Sequence, residues 1–307
     1  MLPTLLASST RRTEILFPNL ENLIVSNQPG ELRINSDGVM LSVFEWQGDD
    51  PPIVFVHANS FHGRIWDQVI AQLSGHHCYT VDLRGHGRSD KPNTHYHWRL
   101  FGDDLVNLAH QLNISGAIGV GHSLGGHTVT LAAAIDPQLF HTLLLIDPVI
   151  LRRAQYVGQL TGDHYAARRR NWFESKQAMI ERFKDRLPFS QWQPSVLQDY
   201  CEYGLLPFDG GYVLACSPSI EAEIYSRSTE EGSNIYPEIA TIDIPVRILR
   251  ARSTTHDNPA EDLSASPTDT DLAKVFRHAI DIPLPDHSHF IPMESPELVA
   301  QHIYELL

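Results

Sequence analysis

Ala117-Ile118-Gly119-Val120-Gly121-His122-Ser123-Leu124-Gly125-Gly126 is the stretch on which the reading of the chain turns. Its apolar start, 117–120, has the character of a buried strand. An Ala-rich stretch with Leu131, Ala132, Ala133 and Ala134 follows, with the character of a helix. Between the two lies Gly-x-Ser-x-Gly, the pattern of a serine presented on a sharp strand-to-helix turn. Such a turn forces its central residue into strained backbone angles and needs small neighbours. It also sets the serine at a helix N-terminus, where amide N–H groups and the helix dipole stabilise developing negative charge. Ser123 is therefore expected to be a nucleophile. The plainer alternative is a glycine-rich turn whose serine only caps a helix; the strand entering and the helix leaving disfavour it.

Outward from this turn, short β-branched runs alternate with helical patterns, as in a parallel sheet with crossover helices. Strands are expected over 53–57, 78–82, 117–121, 142–147, 246–250 and 279–284, and helices over 98–112, 124–135 and 296–307. The rhythm stops at Pro148 and resumes after Ile239. In between come aromatics (Trp172, Phe173, Phe183, Trp192, Tyr200, Tyr203) punctuated by Pro188, Pro194 and Pro207. Structureless loops of that length are rare. The expected class is therefore α/β, a mostly parallel central sheet with flanking helices. Residues 1–147 and 240–307 would form its core, and 148–239 an inserted helical cap.

Bulk properties narrow the function. The 307 residues are 42% apolar and 20% charged, ample for a globular core, with a formal charge of 23 − 37 = −14. That charge argues against nucleic acid or an anionic membrane surface as partner. Cys78, Cys201 and Cys216 are widely spaced with no CxxC pair, so neither a disulfide framework nor a zinc knuckle is expected. At the N-terminus the charges follow a short apolar run, unlike a signal peptide. No stretch approaches the ~18 apolar residues of a membrane span. A cytoplasmic location is the expectation. Most of the 17 histidines stand alone and read as solvated or locally hydrogen-bonded.

Four motifs in order carry a resemblance that covers nearly the whole chain. Val56-His57-Ala58-Asn59-Ser60 looks like an "HG" loop after a third strand. Asp82-Leu83-Arg84-Gly85-His86-Gly87-Arg88-Ser89 is similar to D-x-R-G-x-G-x-S. The Ser123 turn follows, then Ser288-His289-Phe290 leading to Glu294-Ser295-Pro296-Glu297. Together they resemble the α/β-hydrolase superfamily. Ala58 departs from it, standing where glycine is usual. A further likeness, in His57–Asn59, Leu-Ile-Asp-Pro-Val-Ile, and Leu214-Ala215-Cys216 with Glu221-Ala222 and Tyr225, is to uncharacterised bacterial hydrolases and fungal peroxisomal toxin-biosynthesis hydrolases.

The resemblance implies the chain order serine, acid, histidine. His289 is the expected base, favoured over His287 by its Ser-His-Phe setting. The acid is open. No carboxylate follows 246–250 directly, where Ala251, Arg252, Ser253, Thr254 and Thr255 stand; Asp257 and Asp262 come later. Haloalkane dehalogenases and other branches carry the acid at the position of Asp147, which is favoured over Asp257 and Asp262. The oxyanion donors implied are the backbone N–H groups of Leu124 and Asn59.

Phe61, His62, His122 and His127 flank these loops as candidate pocket residues; Trp66 reads as core. Arg168-Arg169-Arg170 reads as a solvated helix face more readily than a carboxylate-binding site. The expected function is hydrolysis of a carboxylic ester, lactone or thioester through an acyl-enzyme on Ser123. The partner would be a small-molecule substrate with an apolar portion, and no metal or organic cofactor is called for. Carbon–carbon bond hydrolysis or cofactor-free haloperoxidase chemistry on the same triad is the alternative, as is a binding scaffold without turnover. Dehalogenase and epoxide hydrolase chemistry are disfavoured, since both use an Asp nucleophile.

Overall fold

The computed structural model describes residues 28–162, 164–254 and 264–307. The chain first forms β1 (Gly30–Ser36), β2 (Val39–Trp46) and β3 (Asp49–Val56), then a short helix α1 (Asp67–Ile70) and β4 (His76–Asp82). Next come α2 (Arg99–Gln111), β5 (Ala117–His122), α3 (Leu124–Ile135) and β6 (Phe140–Ile146). Every residue of β5 is buried, as a strand covered on both faces by helices must be.

Two of these strands, β1 and β2, were not among those expected. They form an antiparallel hairpin closed by Asp37-Gly38, with φ of 47° and 85° and Ser36 paired to Val39. A two-residue Asp-Gly loop with both φ positive is the turn whose twist matches paired strands. The dipeptide was a legible signal. The polar alternation of β1, on the sheet's edge, hid the strand it belongs to.

After β6 the chain leaves the sheet. It builds α4 (Lys176–Phe183), α5 (Pro194–Tyr203), α6 (Pro218–Ser226) and α7 (Tyr236–Ile239), with β7 (Trp172–Phe173), β8 (Leu205–Phe208) and β9 (Gly211–Leu214). Besides the helices expected over 148–239, the segment carries short strands that were not expected. Strands β7, β9 and β8 form a small antiparallel sheet. Asp209-Gly210 closes its hairpin with the same pair of positive φ angles, and Pro207 is accommodated because β8 is an edge strand. The chain returns as β10 (Val246–Ala251), β11 (Ala279–Leu284), α8 (Ile291–Glu294) and α9 (Pro296–Tyr304).

The main sheet has the order β1-β2-β4-β3-β5-β6-β10-β11, parallel from β4 onward. Alternating side chains feed two cores. Val54 and Val56 join Phe101, Leu105 and Leu131 on the α2/α3 face. Ile53 and Phe55 join Trp66, Val299 and Ile303 on the other. Met179, Val196 and Leu197 of α4 and α5 belong to this second core, which seats the inserted segment on the body. The loops after β3, β5 and β6, and the one before α8, gather at the carboxyl ends of the parallel strands, where open α/β sheets bind ligands.

Candidate active site

Ser123 sits at φ 57°, ψ −116°, on the turn from β5 into α3. A β-carbon on Gly121 would lie 2.3 Å from the Gly125 carbonyl oxygen, and one on Gly125 would lie 2.0 Å from that of Val56. The two glycines are thus a steric requirement of the turn. The Ser123 N–H donates to Ile146 O at 3.0 Å and its carbonyl accepts from Val149 N at 3.0 Å, so β6 and its exit loop hold the strained residue.

His289 arrives on the loop between β11 and α8. Its Nε2 lies 3.0 Å from Ser123 Oγ and its Nδ1 2.6 Å from Asp147 Oδ2. Its backbone is tied at both ends: the N–H donates to Ser264 O at 2.7 Å, and His122 Nε2 approaches its carbonyl to 2.8 Å. Burial pushes the His122 imidazole well below its ordinary pKa, so the neutral ring donates through Nε2. Asp147 is fully buried at φ 44°, its N–H on Leu249 O at 2.7 Å. Oδ1 accepts from Ala251 N at 3.0 Å and from the Ser266 hydroxyl, which leaves Oδ2 to His289.

Of the other candidates, His287 Nε2 lies 3.0 Å from Ser295 Oγ instead. Asp257 and Asp262 fall outside the described residues.

A model of the alpha/beta hydrolase family matches residues 53–302. The chain belongs to the alpha/beta hydrolase family. This hydrolase is 28% identical over 277 residues to 2-(acetamidomethylene)succinate hydrolase of Mesorhizobium japonicum, spanning 88% of this chain and 92% of that one. It is 31% identical over 171 residues to an esterase of Mycobacterium tuberculosis, over 54% of this chain and 57% of the relative. Among solved structures, E-2-(acetamidomethylene)succinate hydrolase superposes with a TM-score of 0.71 at 23% identity, over 90% of this chain and 98% of that one.

The loop after β3 accommodates the hydrolase's unusual Ala58 because the left-handed residue there is Ser60, at φ 71°. His57 buttresses the loop. Burial lowers its pKa to about 4, and the neutral ring donates from Nδ1 to Ala58 O at 2.7 Å while Nε2 accepts from Leu83 N at 3.1 Å. Among the described residues, neither the Asn59 nor the Leu124 backbone N–H has an acceptor. The D-x-R-G-x-G-x-S segment is scaffold: Asp82 takes the Gly63 and Arg88 N–H groups at 2.6 and 2.7 Å, and Arg84 pairs with buried Asp104 at 2.6 Å.

A cavity of about 1050 Å³ opens over Ser123. One wall is aromatic: Phe61, Phe183, Phe189, Trp192, Tyr200 and Phe290. Another is polar: Tyr165, Arg169, Glu221 and Tyr225. His122 and Phe61 line it. His62 and His127 turn instead to the carbonyls of Tyr200 and Ser233, at 3.2 and 3.0 Å. Trp66 is fully buried against Phe55.

The reading of Arg168–Arg170 as a solvated face is corrected at one residue. Arg168 and Arg170 are exposed, but Arg169 pairs with buried Glu221 and donates to Tyr200 Oη at 3.1 Å. Glu221 was legible only through a resemblance and carried no expected role; its partner lies 52 residues away. No helix among the described residues is long and apolar enough to cross a membrane.

Proposed function

We propose that this hydrolase cleaves a carboxylic ester, or a lactone or thioester, through an acyl-enzyme on Ser123. The observation that carries the reading is the relay Ser123 Oγ to His289 Nε2 at 3.0 Å, and His289 Nδ1 to Asp147 Oδ2 at 2.6 Å, at the floor of a large, partly aromatic cavity. A serine hydroxyl attacks a carbonyl only if a base removes its proton, and that base must hold the correct tautomer. Asp147 accepts from Nδ1–H, so Nε2 is free to take the Ser123 proton. Oγ then bonds to the carbonyl carbon, and the carbonyl π pair moves onto oxygen, toward the N–H groups of Asn59 and Leu124. One such donor is worth roughly 10²–10³ in rate. Collapse breaks the bond to the leaving oxygen or sulfur, which takes the proton from the His289 imidazolium. Water then repeats the sequence on the acyl-enzyme, with His289 again as base, and releases the acid and Ser123. The aromatic wall supports a substrate with an apolar acyl or alcohol portion.

A second reading is a carboxylate-bearing substrate, as the name of the Mesorhizobium relative has for that protein. Arg152, which lines the cavity and stands 3.9 Å from its nearest carboxylate among the described residues, Asp269, favours it. Fluorophosphonate labelling with mass spectrometry, and stopped-flow release from a chain-length series of p-nitrophenyl esters, test the proposal in wild type and Ser123→Ala. We expect an adduct on Ser123 and a burst equal to the enzyme concentration, both absent in Ser123→Ala. Turnover that persists in Ser123→Ala, or no adduct and no burst in wild type, overturns it. Turnover of short succinate monoesters in preference to neutral alkyl esters selects the second reading.

A further inference from the structure

We infer that the Asn59 side chain and Glu221 of α6 are positioning residues: they hold the oxyanion loop in its working shape, and the loop keeps that shape only while α6 is seated on it. The inference rests on the acyl-enzyme reading above and adds the means by which the loop is held.

The loop needs holding. Ser60 stands at φ 71°, a left-handed conformation that a non-glycine residue keeps only where its surroundings enforce it. The Asn59 N–H just before it must point at a substrate oxygen, so it cannot be spent on a bond to the protein.

Two tethers act from outside. His86 Nε2 accepts from Ser60 N at 3.1 Å. The Asn59 Nδ2 donates to the Glu221 backbone carbonyl at 3.1 Å, across 162 residues of sequence. The Glu221 carboxyl is pinned by Arg169, which also donates to Tyr200 Oη.

Asn59 and Glu221 are each 3% exposed. A carboxylate is costly to bury unless paired, and an ion pair that served stability alone would have no need of the strained loop. Glu221 gives its backbone oxygen to Asn59 and its carboxyl to Arg169, so the ion pair fixes the point to which the loop is tied. A donor displaced by about 1 Å from the position of the oxyanion loses on the order of 10² in rate.

The test compares Asn59→Ala, Glu221→Ala and Glu221→Gln with wild type, using a p-nitrophenyl ester and an alkyl trifluoromethyl ketone. The ketone adds reversibly to Ser123 and places an oxyanion in the same site. Asn59→Ala keeps the backbone N–H and removes only the tether. We expect both alanine variants to lower kcat by roughly 10- to 100-fold with KM within threefold, and to weaken ketone inhibition by the same factor as kcat/KM. Glu221→Gln, isosteric and able to accept from Arg169 through its amide oxygen, should recover most of kcat. The double alanine variant should lose less than the product of the single losses, since both changes act on one tether.

Melting temperatures identify any variant that fails to fold, and Asn59→Leu, which keeps the side-chain volume and the backbone N–H but lacks the Nδ2 donor, then decides through a loss of kcat and ketone affinity like that expected of Asn59→Ala. If folded Asn59→Ala, Asn59→Leu or Glu221→Ala keeps wild-type kcat and ketone affinity, or changes only KM, the inference is overturned while the acyl-enzyme reading stands. A wild type with neither burst nor Ser123 adduct overturns both.

Discussion

Replacing Asp147 by Asn isolates what the carboxylate does for His289. In the wild type, Oδ2 accepts from Nδ1–H at 2.6 Å, while Oδ1 accepts from Ala251 N at 3.0 Å and from the Ser266 hydroxyl. Asparagine has one oxygen and one NH₂ group. The fixed Ala251 N–H demands an acceptor, so the amide oxygen goes to the Oδ1 position and the NH₂ group faces His289. An N–H cannot accept from Nδ1–H. The imidazole therefore takes the other tautomer, with its proton on Nε2, facing Ser123 Oγ at 3.0 Å, where it has no lone pair for the serine proton. A wrong tautomer in an otherwise intact triad lowers kcat by about 10⁴, or ~5.5 kcal/mol of barrier. Removing the negative charge from beside the imidazolium acts in the same direction. The assay is steady-state hydrolysis of a p-nitrophenyl ester, with circular dichroism and thermal melting to show an intact fold, since Asn keeps the volume and the Ala251 contact. A folded Asp147→Asn protein with kcat within tenfold of wild type would refute the role assigned to Asp147.

Two further outcomes follow from buried groups. Burial holds His57 and His127 at about 4 and His62 at about 3, against an ordinary value of 6.5. Between pH 6.5 and about 4 the unfolded chain binds protons that the folded one does not. Their contribution is therefore complete above pH 6.5 and lost as pH falls, by about 1.4 kcal/mol per pH unit for each histidine. Three together remove ~4 kcal/mol per unit, enough to unfold a domain of ordinary stability near pH 5. Urea titrations from pH 7 to 4.5 check this, and a midpoint that does not move over that range contradicts it.

Ser123→Gly should abolish kcat yet raise stability. The strain at φ 57° costs about 1–3 kcal/mol and glycine returns ~0.5–1 of it as unfolded-state entropy. Differential scanning calorimetry should show a rise of ~2–4 °C; a fall in melting temperature would contradict it.

What the sequence determined by itself is local in the chain. The Ser123 turn was legible because Gly121 is required within the turn itself, where a β-carbon would lie 2.3 Å from the Gly125 carbonyl, and because Gly-x-Ser-x-Gly lies in one short stretch. The clash that requires Gly125, 2.0 Å from the Val56 carbonyl of β3, is tertiary. The parallel strands were legible because a strand buried on both faces must be apolar throughout. The two hairpins, Asp37-Gly38 and Asp209-Gly210, carried readable turns whose strands were too short or too polar to be recognised.

Tertiary structure decided the rest. Which carboxylate meets His289 depends on the pairing of β6 with β10, which places Asp147 at the strand end beside Ala251 and brings it to a histidine 142 residues away. Arg169 and Glu221, 52 residues apart, meet beside the loop after β3 only because the inserted segment folds back over the sheet. No periodicity records such meetings. The direction of a side chain on a loop is set by the elements packed around it, and those elements come from distant parts of the chain.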